Sequence, residues 1–91
     1  MAKPAVTRVI ACGATAVEVA PDNPGRTYAL LVNDDPTSPV YLGLGDSSVA
    51  VGHGIRLNVA GGSFEINLTN PWTGPIYAAA AAAANLLVTE Y

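Results

Sequence analysis

Charge is what this chain has least of. Of its 91 residues only 12% are charged, against about 25% in an average soluble domain. The four basic residues, Lys3, Arg8, Arg26 and Arg56, are scattered, and the net charge is −3. So thin a basic complement cannot neutralise a run of phosphates, which argues against a nucleic-acid partner. There is one cysteine, Cys12, so no intrachain disulfide and no four-cysteine metal site can form. No histidine or basic cluster stands beside it in the sequence, and it reads as a small core residue. The single histidine, His53, sits between Gly52 and Gly54. Without a nucleophile motif, an orienting acid or further soft ligands, it reads as a solvated loop residue rather than a base or a metal ligand. Asp34, Asp35 and Asp46 do not follow the spacing of a calcium loop and read as turn residues. Long apolar runs are missing too. The most apolar stretch, Ile76 to Val88, is mostly alanine and is interrupted by Asn85. It falls short of the about 20 residues that span a bilayer, so no membrane partner is expected. The start of the chain shows no apolar core of signal-peptide length. The expectation is a non-enzymatic chain with no cofactor and no metal.

Hydrophobic residues, in contrast, make up 51% of the chain. A surface with so few charges is either neutral-polar or covered by other chains, and the second reading is preferred. The length suits one domain, taken as residues 1–91 with residues 1–5 as an N-terminal arm.

Turn residues recur about every 8–12 positions, the punctuation of an all-β sandwich or barrel. Val6 to Ala11 and Thr15 to Ala20 are the first two expected strands, and Pro21-Asp22-Asn23-Pro24-Gly25 is a turn. Arg26 to Asn33 follows, with Tyr28, Leu30 and Val32 on one face and Ala29 and Leu31 on the other. A strand apolar on both faces is central and doubly covered, or buried in an oligomer. Val40 to Leu44 is the next strand, and Gly43 and Gly45 leave room on its other face for a close neighbour. From Gly54 to Leu68 the alternation suits a hairpin about Gly61-Gly62, pairing Leu57 with Ile66 and Ile55 with Leu68. It also brings Arg56 diagonal to Glu65 as a surface ion pair. Two readings of the alanine run Ala78 to Ala84 stay open. Propensity favours a helix; the missing N-cap and the strand-like Leu86-Leu87-Val88-Thr89 favour a second hairpin, from Ile76 to Glu90, and that reading is preferred. The expected fold is an antiparallel β-sandwich of about seven or eight short strands, jelly-roll-like in its winding.

Trp72, in the Asn70–Pro75 loop, has three readings: a lid on one end of the core, an interface anchor, or a platform for a sugar ring. Tyr41, Tyr91 and the arm Met1-Ala2-Lys3-Pro4-Ala5 are the other candidate contact residues.

Several stretches resemble small bacteriophage-encoded β proteins. They are Asn23-Pro24-Gly25-Arg26 leading into Tyr28 to Asn33, Val40 to Gly45, Gly54-Ile55-Arg56-Leu57, Gly61-Gly62-Ser63-Phe64-Glu65-Ile66, Thr73 to Ala78 and Val88-Thr89-Glu90. The likeness spans nearly the whole chain and rests on turn and strand punctuation. It implies a virion component, in the first place a capsid decoration (cement) protein, located on the capsid surface. Its partners would be the major capsid protein and copies of itself, as a homotrimer. A tail or baseplate component is the alternative within the structural class, and a carbohydrate-binding receptor-recognition module using Trp72 and a tyrosine is the alternative outside it.

Overall fold

Eight strands form where the sequence alternates: β1 (Val6–Cys12), β2 (Val17–Ala20), β3 (Ala29–Asn33), β4 (Val40–Leu44), β5 (Ile55–Leu57), β6 (Ser63–Ile66), β7 (Ile76–Ala80) and β8 (Ala84–Glu90). They are seen in a computed structural model that describes residues 5–91; Met1 to Pro4 of the expected arm lie outside the described residues, and Ala5 is exposed. The strands build two antiparallel sheets of four, in the orders β1-β8-β3-β6 and β2-β7-β4-β5. This is the all-β sandwich that the turn punctuation implies.

The strand orders follow from one arrangement. β1 pairs with β8, β2 with β7, β3 with β6 and β4 with β5. Val6 faces Glu90, Val17 faces Ala78, Ala29 faces Ile66 and Val40 faces Leu57, and the midpoint of every such pair lies between residues 47 and 49. The chain is therefore one long antiparallel hairpin with its tip in the β4–β5 loop. It is rolled up until β8 also meets β3 and β7 meets β4. Eight strands wound this way into two sheets are a jelly roll.

Rolling explains two departures from expectation. The Gly54–Leu68 segment is not a hairpin: β5 pairs with β4 in one sheet and β6 with β3 in the other. The turn between them arches across the gap between sheets. Leu57 and Ile66 still both point into the core, because inward alternation is satisfied across two facing sheets as well as within one. Beyond the strands the expected pairing fails, and Leu68 is 84% exposed. The turn is held instead by β3. Gly61 N–H donates to Asn33 O, and Asn33 N–H donates to Gly62 O, each at 2.8 Å. The expected Arg56–Glu65 ion pair is accordingly absent: Arg56 Nε donates to Asn58 Oδ1 at 3.1 Å, while Glu65 accepts from Tyr28 Oη at 2.7 Å and from Asn67 Nδ2 at 3.0 Å.

The second departure is the alanine run. It is strand–turn–strand, but β7 and β8 belong to different sheets and do not pair. β7 lies between β2 and β4 and is covered on both faces. Ala78 and Ala80 face the core, while Ala79 faces outward beneath Tyr41 and Val49. A doubly covered central strand reads as a continuous apolar run, and the small side chains let both layers approach. Tertiary contact here overrides alanine's helical preference.

The core between the sheets holds Leu31, Leu42, Leu57, Ile66, Ile76 and Leu86. Burying each such side chain contributes about 1.5–3 kcal/mol. At one end of the sandwich the core is closed by a fully buried polar residue, Asn33. Its Nδ2 donates to Ser38 O at 2.9 Å and to Leu57 O and Asn58 O at 3.2 Å, and its Oδ1 accepts from Asp35 N–H at 2.9 Å. One side chain thus ties the β3–β4 loop to the β5–β6 arch. A buried amide so fully bonded stabilises, whereas the same carbonyls stripped of their donor would each cost about 1–3 kcal/mol.

The arch can be distinguished from a hairpin by two leucines that a hairpin would place side by side with their partners on one face. Leu57→Ala is expected to cost about 2–5 kcal/mol in urea denaturation, the range for a buried leucine. Leu68→Ala is expected to change stability by no more than about 0.5 kcal/mol, as for an exposed site. Equal losses at the two positions would contradict the arch.

Candidate functional site

The end of the sandwich opposite Asn33 is organised by charge. Inward alternation along β8 places Leu86, Val88 and Glu90 on the core side, and the same alternation along β1 places Arg8 there, opposite Val88. The β2–β3 turn delivers Arg26, whose side chain is 0% exposed beside Glu90 at 5%. Arg26 Nε donates to Glu90 Oε2 at 2.6 Å, and Arg8 Nη2 donates to Glu90 Oε1. The rest of the Arg26 guanidinium is used on backbone carbonyls: Nη1 on Trp72 O (3.2 Å) and Gly74 O (2.8 Å), Nη2 on Pro21 O (2.7 Å). One fork therefore joins the β2–β3 turn, the β6–β7 loop and the end of β8. Among the described residues no buried side-chain nitrogen or oxygen is left without a partner.

Burial by itself would push the Glu90 carboxyl up. The hydrogen bonds from Arg26 and Arg8, with their charges, outweigh it and hold Glu90 below the ordinary carboxylate range. Cys12 behaves in the opposite sense. Burial pushes its thiol up to about 11, so it stays protonated at neutral pH, as a core residue rather than a nucleophile.

Trp72 lies over this same end. Its Nε1 donates to Pro75 O at 3.1 Å, and its ring packs on the core cluster. It lies so close to Gly45 and Gly74 that a Cβ on either would come within 2.9 Å and 2.7 Å of the ring. The indole is a lid with both its polar handle and one face engaged. Tyr91 lies nearby: Thr27 N–H and Tyr28 N–H donate to Tyr91 O at 2.8 and 2.9 Å. The residue is 50% exposed, and its ring stacks on Tyr28 with centroids 5.1 Å apart. Tyr41 is brought to neither of them. It lies on the outer face of the β2-β7-β4-β5 sheet, only 8% exposed, against Val49 and Ala79.

The acidic residues do not converge. Asp34 and Asp35 lie in the β3–β4 loop and Asp46 in the β4–β5 loop, at opposite ends of β4. Asp35 Oδ2 accepts from Thr37 N–H at 2.9 Å and Ser38 N–H at 2.6 Å, which lowers its pKa. Asp46 is lowered first by its bonds from Ser48 and then by His53, 3.7 Å away. Among the described residues no three of His, Cys, Asp or Glu gather to hold a metal ion.

The residues that sequence reasoning missed are Arg26, Glu90 and Asn33. Glu90 and Arg8 carried a signal, since each falls on the inward phase of its own strand; Arg26 carried none, because the expected strand Arg26 to Asn33 begins only at Ala29 and leaves Arg26 in the β2–β3 turn. No protein-family model, curated protein or solved structure matches this chain.

The buried ion cluster makes stability pH-dependent in a definite direction. Glu90 binds a proton less readily folded than unfolded, so its contribution is complete above its unfolded value of about 4.5 and is lost as pH falls through the lower folded value. Urea midpoints are expected to be steady above about pH 5 and to fall below it. Glu90→Gln leaves two guanidinium groups facing a neutral amide, and is expected to cost about 3–5 kcal/mol at pH 7 and to flatten the acid slope. A variant with the full wild-type slope would show that Glu90 is not the group responsible.

Proposed function

We propose that this chain is a non-enzymatic virion structural protein, a capsid decoration protein that binds the outer capsid surface and stabilises the head. The observation that carries this reading is the outer face of the β1-β8-β3-β6 sheet. On β1, β8 and β3 its outward side chains are apolar or neutral, with Val9 63% exposed and Leu87, Val32 and Leu30 partly exposed, and Glu65 on β6 is its one charge. An apolar strip of this kind suits a surface that works in contact with others. The whole-length resemblance to phage β proteins supports the virion setting. The jelly-roll winding agrees with it by fold-level analogy, since viral capsid proteins are among the proteins that use it. The mechanism is mass action: a protein that binds only the assembled shell stabilises it by about 2.7 kcal/mol per site at a concentration 100 times Kd.

The test uses purified heads that lack this protein, from the virus whose genome carries the gene. Added chain is expected to bind them saturably at micromolar concentration and to raise the temperature at which they break open. Absence of both binding and stabilisation would contradict the proposal.

A further inference from the structure

Each sheet has two edge strands, and the chain guards three of the four. β2 carries a register shift between Glu18 and Ala20, while β5 and β6 are only three and four residues long. Short or bulged edges are the usual protection against pairing with another chain. β1 has neither guard. It runs for seven residues in unbroken register with β8, with no proline from Val6 to Cys12. Among the described residues no strand lies on its other side, and no backbone–backbone hydrogen bond outside the β1–β8 ladder engages Val6 to Cys12. Alternate N–H and C=O groups of β1 therefore point away from the fold without a partner strand. A charge on the edge would be a further guard, but Arg8, the only charge on β1, is turned inward onto Glu90. Val9 is the exposed end of an outward cross-strand row, Val9–Leu87–Val32.

We propose that β1 pairs antiparallel with β1 of a second copy of this chain, about a two-fold axis at Val9, so that two four-stranded sheets become one sheet of eight. The inference rests on the reading of the protein as an assembling structural component, and it names the first partner. The open ladder selects an extended strand as the occupant, because only a second strand offers matching donors and acceptors. Three observations select a second copy as its source. First, β1 is itself such a strand, so two copies satisfy each other's open edge in one contact. Second, the strand is symmetric in length about Val9. An axis there pairs Val6 with the partner's Cys12, Thr7 with the partner's Ala11 and Arg8 with the partner's Ile10, and no residue of β1 is left over. Opposed residues of antiparallel strands share a face, so Arg8 and Ile10 stay on the core side. No like charges meet, whereas an axis at Arg8 would set two guanidinium groups opposite each other. Third, Val9 meets the partner's Val9 at the axis, a β-branched pair that suits a sheet. The outward row Val9–Leu87–Val32 then runs on into the same row of the second copy. A strand bearing charges would find no free charge to pair with on this edge. A contact between like edges closes at two copies, not at the three that the resemblance implies.

Light scattering of the purified chain at micromolar concentration is expected to give the mass of two 9.2 kDa chains. Hydrogen exchange is expected to slow, as concentration rises, at the β1 amides that point away from β8, and to stay unchanged at β5 and β6. Val9→Lys opposes two ammonium groups across the axis, and is expected to raise the dimer Kd by about tenfold or more. Mixing Val9→Lys with Val9→Glu puts opposite charges there, and is expected to restore the dimer. Leu68→Glu, away from the edge, is expected to leave it intact. A wild-type monomer, a wild-type trimer, a dimer whose β1 amides exchange as fast as the monomer's, or a dimer unaffected by Val9→Lys would overturn the inference. Hydrogen exchange uses the unaltered chain, so it decides even where a Val9 variant fails to fold. The head-binding experiment fails or succeeds separately. A monomer that still stabilises heads removes the dimer and leaves the proposed function standing; a dimer that ignores heads does the reverse.

Discussion

Glu90 sits at the end of the last strand with two guanidinium groups on its carboxylate, and three other segments depend on that arrangement. Removing this carboxylate from water is costly, and the Arg26 pair offsets the cost only because every remaining guanidinium contact is also made. That requirement fixes where the β2–β3 turn, the β6–β7 loop and the start of β1 must lie. A rolled hairpin brings its two free ends to the same strand pair, β1 with β8, and the ion cluster sits at that junction. Asn33 performs the neutral counterpart at the opposite end, where the β3–β4 loop meets the β5–β6 arch. With so few charges in the chain, committing three of them to one internal cluster also leaves the surface barer still.

The rolled winding links this internal order to the outside. The hairpin tip, the β4–β5 loop of residues 45–54, folds back and covers the sheet from which it emerges. The β6–β7 loop, of similar length, closes the end of the sandwich through Trp72 instead. The outer face of the β1-β8-β3-β6 sheet, where Val9 is 63% exposed and Glu65 is the one charge, receives no such fold-back from the tip.

Strand positions were legible because alternation and turn residues are local signals. The strand Val40–Leu44 and the alanine segment's β character could be read from them directly. Which strand neighbours which was not legible. Leu57 and Ile66 point into one core whether they pair in a hairpin or face one another across two sheets, so the pattern that suggested a Gly54–Leu68 hairpin fits the arch equally well. The candidate contact residues divide similarly. Trp72 lies over the core's end, the lid among its three readings, and Tyr91 is exposed, whereas Tyr41 is hidden beneath a loop whose fold-back no local pattern announces. The outward row of β1, β8 and β3 is invisible in one dimension, because it is assembled from strands some twenty to eighty residues apart. The doubly apolar β3 did carry half of that message, since a strand of this kind is covered on both faces or awaits a partner.

The claim that one buried ion pair organises the fold is tested most directly by a double-mutant cycle on Arg26→Met and Glu90→Leu, with stability read from urea denaturation at pH 7. Glu90→Leu leaves the fully buried Arg26 charge uncompensated, Arg26→Met leaves the Glu90 carboxylate with Arg8 alone, and each is predicted to cost about 3–5 kcal/mol. The double variant is predicted to lose less than the sum of the two, with a coupling of at least about 1 kcal/mol. Strictly additive losses would mean that the two side chains stabilise the molecule independently, and would contradict the account.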